Sequence, residues 1–404
     1  LPNSPVWVTI HSNDLTQRTI DVTGSSKQRP DWLHLAIIVS DALSEVPPLL
    51  ASPALVLIAA IAAWPWQETQ LRIAAGALTF LAMAADGISL ALLPRAERSF
   101  GPATPPMLAL ALVRGVLTAL FGALWPTWLG LGITGAVQLT ISAAQIYATW
   151  IEPARLTISR ESLCSPRLGE GPPLHVLHLS DIHFEGWTPR EHALLEAVRD
   201  LAPDLILVTG DYLNLSSVED PAAHASVRDL MTQIVATAPT YAITGSPPVD
   251  LPDVVPAIFE GLPVTWLRDQ ATEIDLKGHH LKLVGVNCTK QRKPDGARLR
   301  RLLPDGTGDT FTILMYHSPD VIHDAVATGI DLYLAGHTHG GQLRLPLFGA
   351  IVTSSDFWKR YEAGRYREGP TTLYVSRGLG VEGMGAPRAR FLSPPEIILW
   401  ELRK

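Results

Sequence analysis

The sequence predicts an all-α membrane region of four helices followed by an α/β domain, and three observations predict it. Residues 47–150 of the 404-residue chain are mostly Ala, Leu, Ile, Val, Gly and Trp. Beyond residue 173, short apolar runs alternate with stretches of helical spacing. Acidic and imidazole side chains recur directly after those runs, at Asp181, His183, Asp211, His317, His337 and His339.

Residues 1–46 form a polar segment. Within it Leu33–Leu43 is apolar, but Asp41, Glu45 and Pro47–Pro48 break it before it can span, and it reads as an interfacial helix. Four stretches in residues 47–150 approach or exceed the about 20 residues that cross a bilayer: Pro48–Trp66, Leu71–Leu93, Pro106–Trp125 and Thr127–Trp150. Trp64, Trp66, Trp125, Trp128 and Trp150 sit at their ends, as interfacial anchors should. With the N-terminus inside, the inner flanks hold Arg18, Lys27, Arg29, Arg95, Arg98, Arg155, Arg160 and Arg167, and the outer flanks hold only Arg72. Eight against one reads as a multi-pass protein of the inner (plasma) membrane with its α/β domain in the cytoplasm. Asp86 lies seven residues before Leu93, and Arg114 eight residues after Pro106. At about 1.5 Å of rise per residue both reach the same depth, and charges at depth need partners, so the two are expected to pair.

Net charge is −7, and no basic run or stripe is present that would serve nucleic acid. Cys164 and Cys288 permit at most one disulfide, and no CxxC pair suggests zinc or redox chemistry.

Residues 151–173 read as a linker containing the short alternating strand "ARLTIS". Residues 174–404 form the α/β domain, with strands expected at "LHVLHL", "DLILVT", "TYAIT", "LKLVGV", "FTILMY", "DLYLA", "TTLYVS" and "EIILW". Between the first two, "PREHALLEAVRDL" has helical spacing with Pro in its first turn. Alternation of this kind argues for a sheet whose site lies at the carboxyl ends of its strands.

Asp181 and His183 are spaced i, i+2 after the first strand, so on extended backbone their side chains face one side. His337 and His339 repeat that spacing after "LYLAG", Asp211 follows "LILVTG", and His317 ends "FTILMY". A single DxH or HxH is ordinarily a hydrogen-bonded surface pair. Six such groups, each just past a strand, point instead to a metal centre. Mixed imidazole and carboxylate ligation suits Zn, Mn, Fe or Co rather than Ca. His175, His178, His279 and His280 lie within strands or at a turn and read as structural.

"SDIH", "GD", "YHSPD" and "GHTHGGQ", in this order, together with the late "RGLG" (Arg377–Gly380), resemble the calcineurin-like metallophosphoesterases, and most closely their bacterial membrane-associated branch. The resemblance runs from about Ile151 to the C-terminus. It implies a four-layer α/β/β/α sandwich holding two divalent metal ions (Mn, Fe or Zn). Asp181, His183, Asp211 and His339 would hold the first metal. Asp211 would bridge to a second, completed by His317, His337 and an Asn. The implied reaction is hydrolysis of phosphate mono- or diesters, in which a hydroxide between metals about 3.5–4 Å apart attacks phosphorus in line.

One motif departs from the family. Where the resemblance expects Gly-Asn-His-Asp or Gly-Asn-His-Glu, the chain has Gly245-Ser246-Pro247-Pro248. Ser246 stands at the Asn ligand as a weak replacement, Pro247 at the catalytic His, and Pro248 at the acidic residue. Proline carries no proton to give, and losing a general acid typically lowers rate by about 10²–10⁴. No catalytic acid is therefore assigned. The reading is a membrane-anchored phosphoesterase acting on a phosphorylated small-molecule or lipid-linked substrate. Its alternative is an impaired, metal-binding relative that recognises a phosphorylated ligand or regulates the membrane region. "FWKRYEAGRY" (Phe357–Tyr366) is aromatic and basic, and suits a membrane surface, the cleft, or a turn packed on the sheet.

Overall fold

The computed structural model describes residue 40, residues 42–383 and residues 388–404. The expected interfacial helix lies almost entirely outside the described residues, as do Arg18, Lys27 and Arg29.

Residues 48–146 fold into four successive helices: α1 (Pro48–Ala63), α2 (Thr69–Leu92), α3 (Thr104–Leu124) and α4 (Trp128–Ile146). Three are long and apolar enough to cross a membrane: α2, α3, and α4 with the helical turns that extend it to Ala154. The first differs from the expectation of four full spans. It starts at the Pro47–Pro48 pair and stops before Trp64–Pro65, leaving 16 residues. That is about 24 Å at 1.5 Å per residue, short of a hydrocarbon core of about 30 Å. It nonetheless lies against α3. A Cβ on Gly115 would stand 2.6 Å from Ile58 Cγ2, and one on Gly122 would stand 2.5 Å from Trp66 Nε1. Small residues at such crossings let helix backbones approach.

Asp86 and Arg114 pair across α2 and α3, both fully buried. Arg114 Nε donates to Asp86 Oδ2 at 2.7 Å and Nη2 donates to Oδ1 at 2.9 Å. The remaining guanidinium donors reach α4, where Nη1 meets Gln138 O at 2.8 Å and Nη2 meets Ser142 Oγ at 2.7 Å. Gln138 Nε2 in turn donates to Thr118 Oγ1 at 2.9 Å. Asp86, Arg114, Thr118, Gln138 and Ser142 thus partner one another, as charge buried among apolar helices requires.

The α/β domain has two six-stranded sheets. The first arises from β1 (Thr157–Cys164), β2 (Leu174–Leu179), α5 (Pro189–Leu201), β3 (Leu205–Val208), α6 (Pro221–Val235), β4 (Thr240–Ala242), α7 (Val254–Phe259) and β5 (Val264–Trp266). The second arises from β6 (Gln270–Leu276), β7 (His279–Gly285), α8 (Arg292–Leu302), β8 (Phe311–Met315), α9 (Ile322–Thr328) and β9 (Leu332–Ala335). It continues past a small hairpin, β10 (Arg344–Leu345) and β11 (Gly349–Ala350), to β12 (Gly364–Glu368) and β13 (Thr371–Val375). The last strand, β14 (Glu396–Arg403), returns to the first sheet between β1 and β2. Strand order is β1-β14-β2-β3-β4-β5 in one sheet and β12-β13-β9-β8-β7-β6 in the other.

Period-two burial builds the layers. Ile206 and Val208 face Leu194, Val198, Val227 and Leu230 of the helices on one side. Leu205 and Leu207 face Ile313, Met315 and Leu332 of the second sheet on the other. Leu314 and Tyr333 of the second sheet then face Leu299 and Ile322. The result is helix, sheet, sheet, helix, four layers as expected. Thr157–Cys164, inside the stretch read as a linker, is an edge strand paired in parallel with β14 along all eight residues. Polar alternation in β1, β6 and β12 reflects their place at sheet edges, where only one face is covered.

The two halves meet through residues 388–393. Arg390 N donates to Ala148 O at 2.9 Å, and the buried Glu152 carboxylate accepts Leu392 N at 2.9 Å and Ser393 N.

Removing either member of the Asp86–Arg114 pair leaves its partner's charge buried, a loss of about 3 kcal/mol or more. Asp86→Ala or Arg114→Met should therefore lower the Tm of the detergent-solubilised chain. The exchange D86R with R114D should recover only part of it, because Gln138 and Ser142 lose their donor. Full recovery, or no loss in the single variants, would show the network to be idle.

Candidate metal centre

Every expected ligand sits just beyond the carboxyl end of a central strand: Asp181 and His183 after β2, Asp211 after β3, His317 after β8, His337 and His339 after β9. Those strands run parallel within their sheets, so their ends share one edge. Face-to-face packing brings the two edges together, and a direct bond joins them where the Asp181 carboxylate accepts His337 N at 2.9 Å.

The six side chains fall into two triads, Asp181–His183–His339 and Asp211–His317–His337, all buried, with ligand atoms within 4.8 Å of one another in each. In the first, His183 Nε2 and His339 Nε2 are 3.0 Å apart, and His339 Nε2 is 3.4 Å from Asp181 Oδ1. Asp211 lies between the triads, its Oδ2 being 3.1 Å from His317 Nε2 and 3.5 Å from His183 Nε2. The Ser246 hydroxyl joins the second triad, at 3.2 Å from Asp211 Oδ2 and 3.3 Å from both His317 Nε2 and His337 Nδ1. Ser246, the residue at the motif's Asn position by the resemblance, is thus brought beside the second triad.

Backbone groups orient the imidazoles. His317 Nδ1 lies 2.7 Å from Thr209 O, and His183 Nδ1 lies 3.2 Å from Leu213 O. An Nδ1–H held by Thr209 O in His317, and by Leu213 O and the nearer Glu382 carboxylate in His183, turns the Nε2 lone pair inward, the arrangement usual for metal-bound histidine. The chain is bent hard to achieve this. Asp181, His183, Asp211, His337 and His339 all have φ between 41° and 70°. Left-handed backbone is uncommon outside glycine and clusters at functional sites. Two glycines admit the ligand side chains: a Cβ on Gly245 would fall 2.2 Å from Asp211 Oδ1, and one on Gly336 would fall 2.1 Å from Asp181 Oδ2.

The electrostatics call for positive charge at the centre. Burial alone would lower the pKa of His183 and His317. Glu382, Asp211 and Asp181 around the first, and Asp211 and Asp181 around the second, outweigh it and raise both to about 9. Burial holds His337 and His339 well below the ordinary imidazole value. A cluster of inward lone pairs and carboxylates that draws in protons in this way fits divalent cations.

Three contributors are not evident from the strand-end pattern. Asp250 accepts Gly245 N at 2.6 Å, Asp211 N at 2.8 Å and Tyr212 N at 3.0 Å, locking the β3 and β4 ends together. The turn at Pro248 is thus closed by a carboxylate two residues further along the chain. Glu382 Oε2 stands 2.7 Å from His183 Nδ1, placed there because the Gln342 amide bonds Glu382 N and O, both at 2.7 Å. Arg390, fully buried, places Nη2 3.5 Å from His339 Nδ1. The "RGLG" arginine turns away from the centre, Arg377 Nη2 lying 3.1 Å from Glu396 Oε1. His178 and His279 bond Thr209 Oγ1 and Pro172 O, as structural histidines do.

A cleft of about 480 Å³ opens over the site, lined by Asp211, Ser246, Pro248, Lys290, His337 and His339 among others.

Residues 174–341 match the family model for calcineurin-like phosphoesterases. The chain is 28% identical to the uncharacterized metallophosphoesterase YkuE of Bacillus subtilis, over 67% of this chain and 94% of that protein. It is also 28% identical to the phosphodiesterase YaeI of Escherichia coli K12, over 66% and 96%. Identity is 25% to the UDP-2,3-diacylglucosamine pyrophosphatase LpxG of Chlamydia trachomatis, over 67% and 98%. Over residues 174–341 the chain is thus similar to the calcineurin-like phosphoesterases, and these relatives extend the likeness to about two thirds of it.

Because Asp211 reaches both triads, Asp211→Asn should reduce metal bound per chain more than His317→Ala, which reaches chiefly the second. Elemental analysis of the purified full chain measures this. Equal losses would count against a shared carboxylate.

Proposed function

We propose that this chain is a membrane-anchored, two-metal phosphoesterase of the branch carrying GHTHGGQ, with a cytoplasmic active site and a lipid-linked phosphodiester or pyrophosphate as substrate. The observation that carries the chemistry is the pair of buried triads with Asp211 Oδ2 between them. Asp181, His183 and His339 would hold one ion, and Asp211, His317, His337 and the Ser246 hydroxyl the other. When bound, two divalent cations activate water and offset charge on the phosphoryl oxygens. The second site has a weaker donor than an Asn amide at Ser246, so it should load less tightly.

The protein's own groups supply the rest. Pro247 offers neither proton nor charge. Lys290, at φ 57°, lines the cleft and its charge bears on His337, so its ammonium is placed to meet an anionic substrate. The membrane reading draws support from the three long apolar helices and from the charge bias of their flanks. Phe100, in the loop carrying Arg95 and Arg98, donates its N–H to Glu185 of the α/β domain at 3.3 Å, which puts that basic loop on the domain's side. The lipid-linked substrate takes support from the relative described as acting on UDP-2,3-diacylglucosamine. Pro247 favours a second reading, a metal-bound module that recognises a phosphorylated ligand without turning it over.

Ser246→Asn with Pro247→His separates the two. On the first reading, wild type turns over an activated phosphodiester slowly and loses that turnover on chelation. The double variant should gain about 10–10³-fold, on the scale of a restored general acid. A folded, metal-loaded double variant with no gain, beside an inert wild type, would favour binding alone. Lys290→Met should raise KM for the same substrate several-fold, and an unchanged KM would remove Lys290 from the cleft's recognition.

A further inference from the structure

The hairpin that follows GHTHGGQ is poorly explained by packing. Leu345, Leu347, Phe348, Ile351 and Val352 are all exposed, with Trp358 beside them, and Leu347 is fully so, at 110%. Leu347 and Trp358 also hold left-handed backbone, at φ 66° and 55°. Large apolar side chains displayed together on strained backbone gain nothing in water; such patches mark a surface that is covered in use.

Its position tells what covers it. The root of the hairpin is bonded to the segment on which the membrane helices rest. Leu343 bridges to Phe391, and Arg344 N donates to Phe391 O at 2.9 Å. The Phe391 ring meets the edge of Tyr147, 5.8 Å between centroids, and Tyr147 directly follows α4. Leu392 and Ile151, next to this contact, are exposed as well. An apolar surface therefore continues from the inner end of α4 onto the hairpin. Its aromatic and basic content suits a headgroup boundary: Trp358 is exposed, and Lys359 places Nζ 3.5 Å from the centre of the Phe348 ring.

We propose that the Arg344–Val352 hairpin seats its apolar tip in the bilayer that α2, α3 and α4 cross, in the leaflet facing the α/β domain. The strand returning from the tip runs into Val352, Thr353, Ser354 and Ser355, which line the cleft over His337 and Ser246. A phosphate at headgroup level is thereby presented to the metal centre along the hairpin. This rests on the membrane reading above, and the experiment tests the two separately.

The full chain, in a Cys164→Ser background that removes the exposed native thiol and keeps the buried Cys288, is reconstituted into phosphatidylcholine–phosphatidylglycerol vesicles. Single cysteines carrying an environment-sensitive fluorophore are placed at Leu347→Cys, at Leu112→Cys in the exposed middle of α3, and at Asp309→Cys, before β8 at the end opposite the site. Phe348→Cys serves as a second tip probe in case position 347 perturbs the hairpin. Lipids spin-labelled at shallow or deep acyl positions act as quenchers. The tip probes should be blue-shifted and quenched at least several-fold more by shallow than by deep labels. Leu112→Cys should be quenched more by deep labels, and Asp309→Cys by neither. Quenching at Leu112→Cys with both tip probes behaving as Asp309→Cys would overturn the hairpin's role and leave the membrane reading standing. Absence of quenching at Leu112→Cys would overturn that reading and the inference with it. A blue shift at the tip without lipid quenching, lost on dilution to one chain per vesicle, would assign the patch to a second copy and overturn the proposal.

Discussion

The Asp211 carboxylate is the point on which the α/β half is organised. It is buried between three imidazoles of the two triads, bonded by Ser246 N and by the Ser246 hydroxyl, while its own backbone N–H is held by Asp250. A carboxylate in that position is tolerable only if cationic or donor groups surround it. Burial pushes it up, yet His317, His183 and His337 hold it well below the usual carboxylate range. Much of the local architecture serves this demand. The strands of two sheets end at one seam, glycines stand wherever a Cβ would strike Asp211 or Asp181, and five of the six ligand residues take left-handed backbone.

Residues 388–393 join that centre to the rest of the molecule. Arg388 packs over Gly101 and bonds Ser216 at 2.7 Å. Arg390 reaches behind His339 and bonds Gly378 O, while Ser393 Oγ donates to His339 O at 2.8 Å. Phe391 carries both the hairpin and Tyr147, and the N–H groups of Leu392 and Ser393 are taken up by Glu152. One short segment thus fixes the helical bundle, the hairpin and a face of the metal centre relative to one another. The bundle has its own anchor in Asp86 and Arg114, which bind three of its helices in their buried interior.

Much was legible in the sequence, and for local reasons. Apolar runs located the central strands because those strands are covered on both faces. Asp181, His183, Asp211, His317, His337 and His339 announced themselves by following such runs, where parallel strands share an edge. Equal depth on neighbouring helices was enough to pair Asp86 with Arg114, whereas Ser246 was singled out only by the family resemblance. The edge strands β6 and β12 were not legible, since half their side chains face water and carry charge. Nor was the short reach of α1, because apolar composition runs past the prolines that end the helix.

The sequence by itself determined the central strands and the candidate ligand side chains, since these depend on period and spacing over a few residues, while the expectation of a histidine at Pro247 came only from the family resemblance. Tertiary structure alone set the distances within each triad and put Asp211 Oδ2 between the two. It also decided that Asp250 locks the turn, that Glu382 backs His183 and that Lys290 faces the cleft. In the same way it set the apolar hairpin beside the carboxyl end of α4. Each of these is an approach between segments far apart in the chain or around a tight turn. Such approaches are set by how two sheets pack and where their loops close, and a linear pattern carries no record of them.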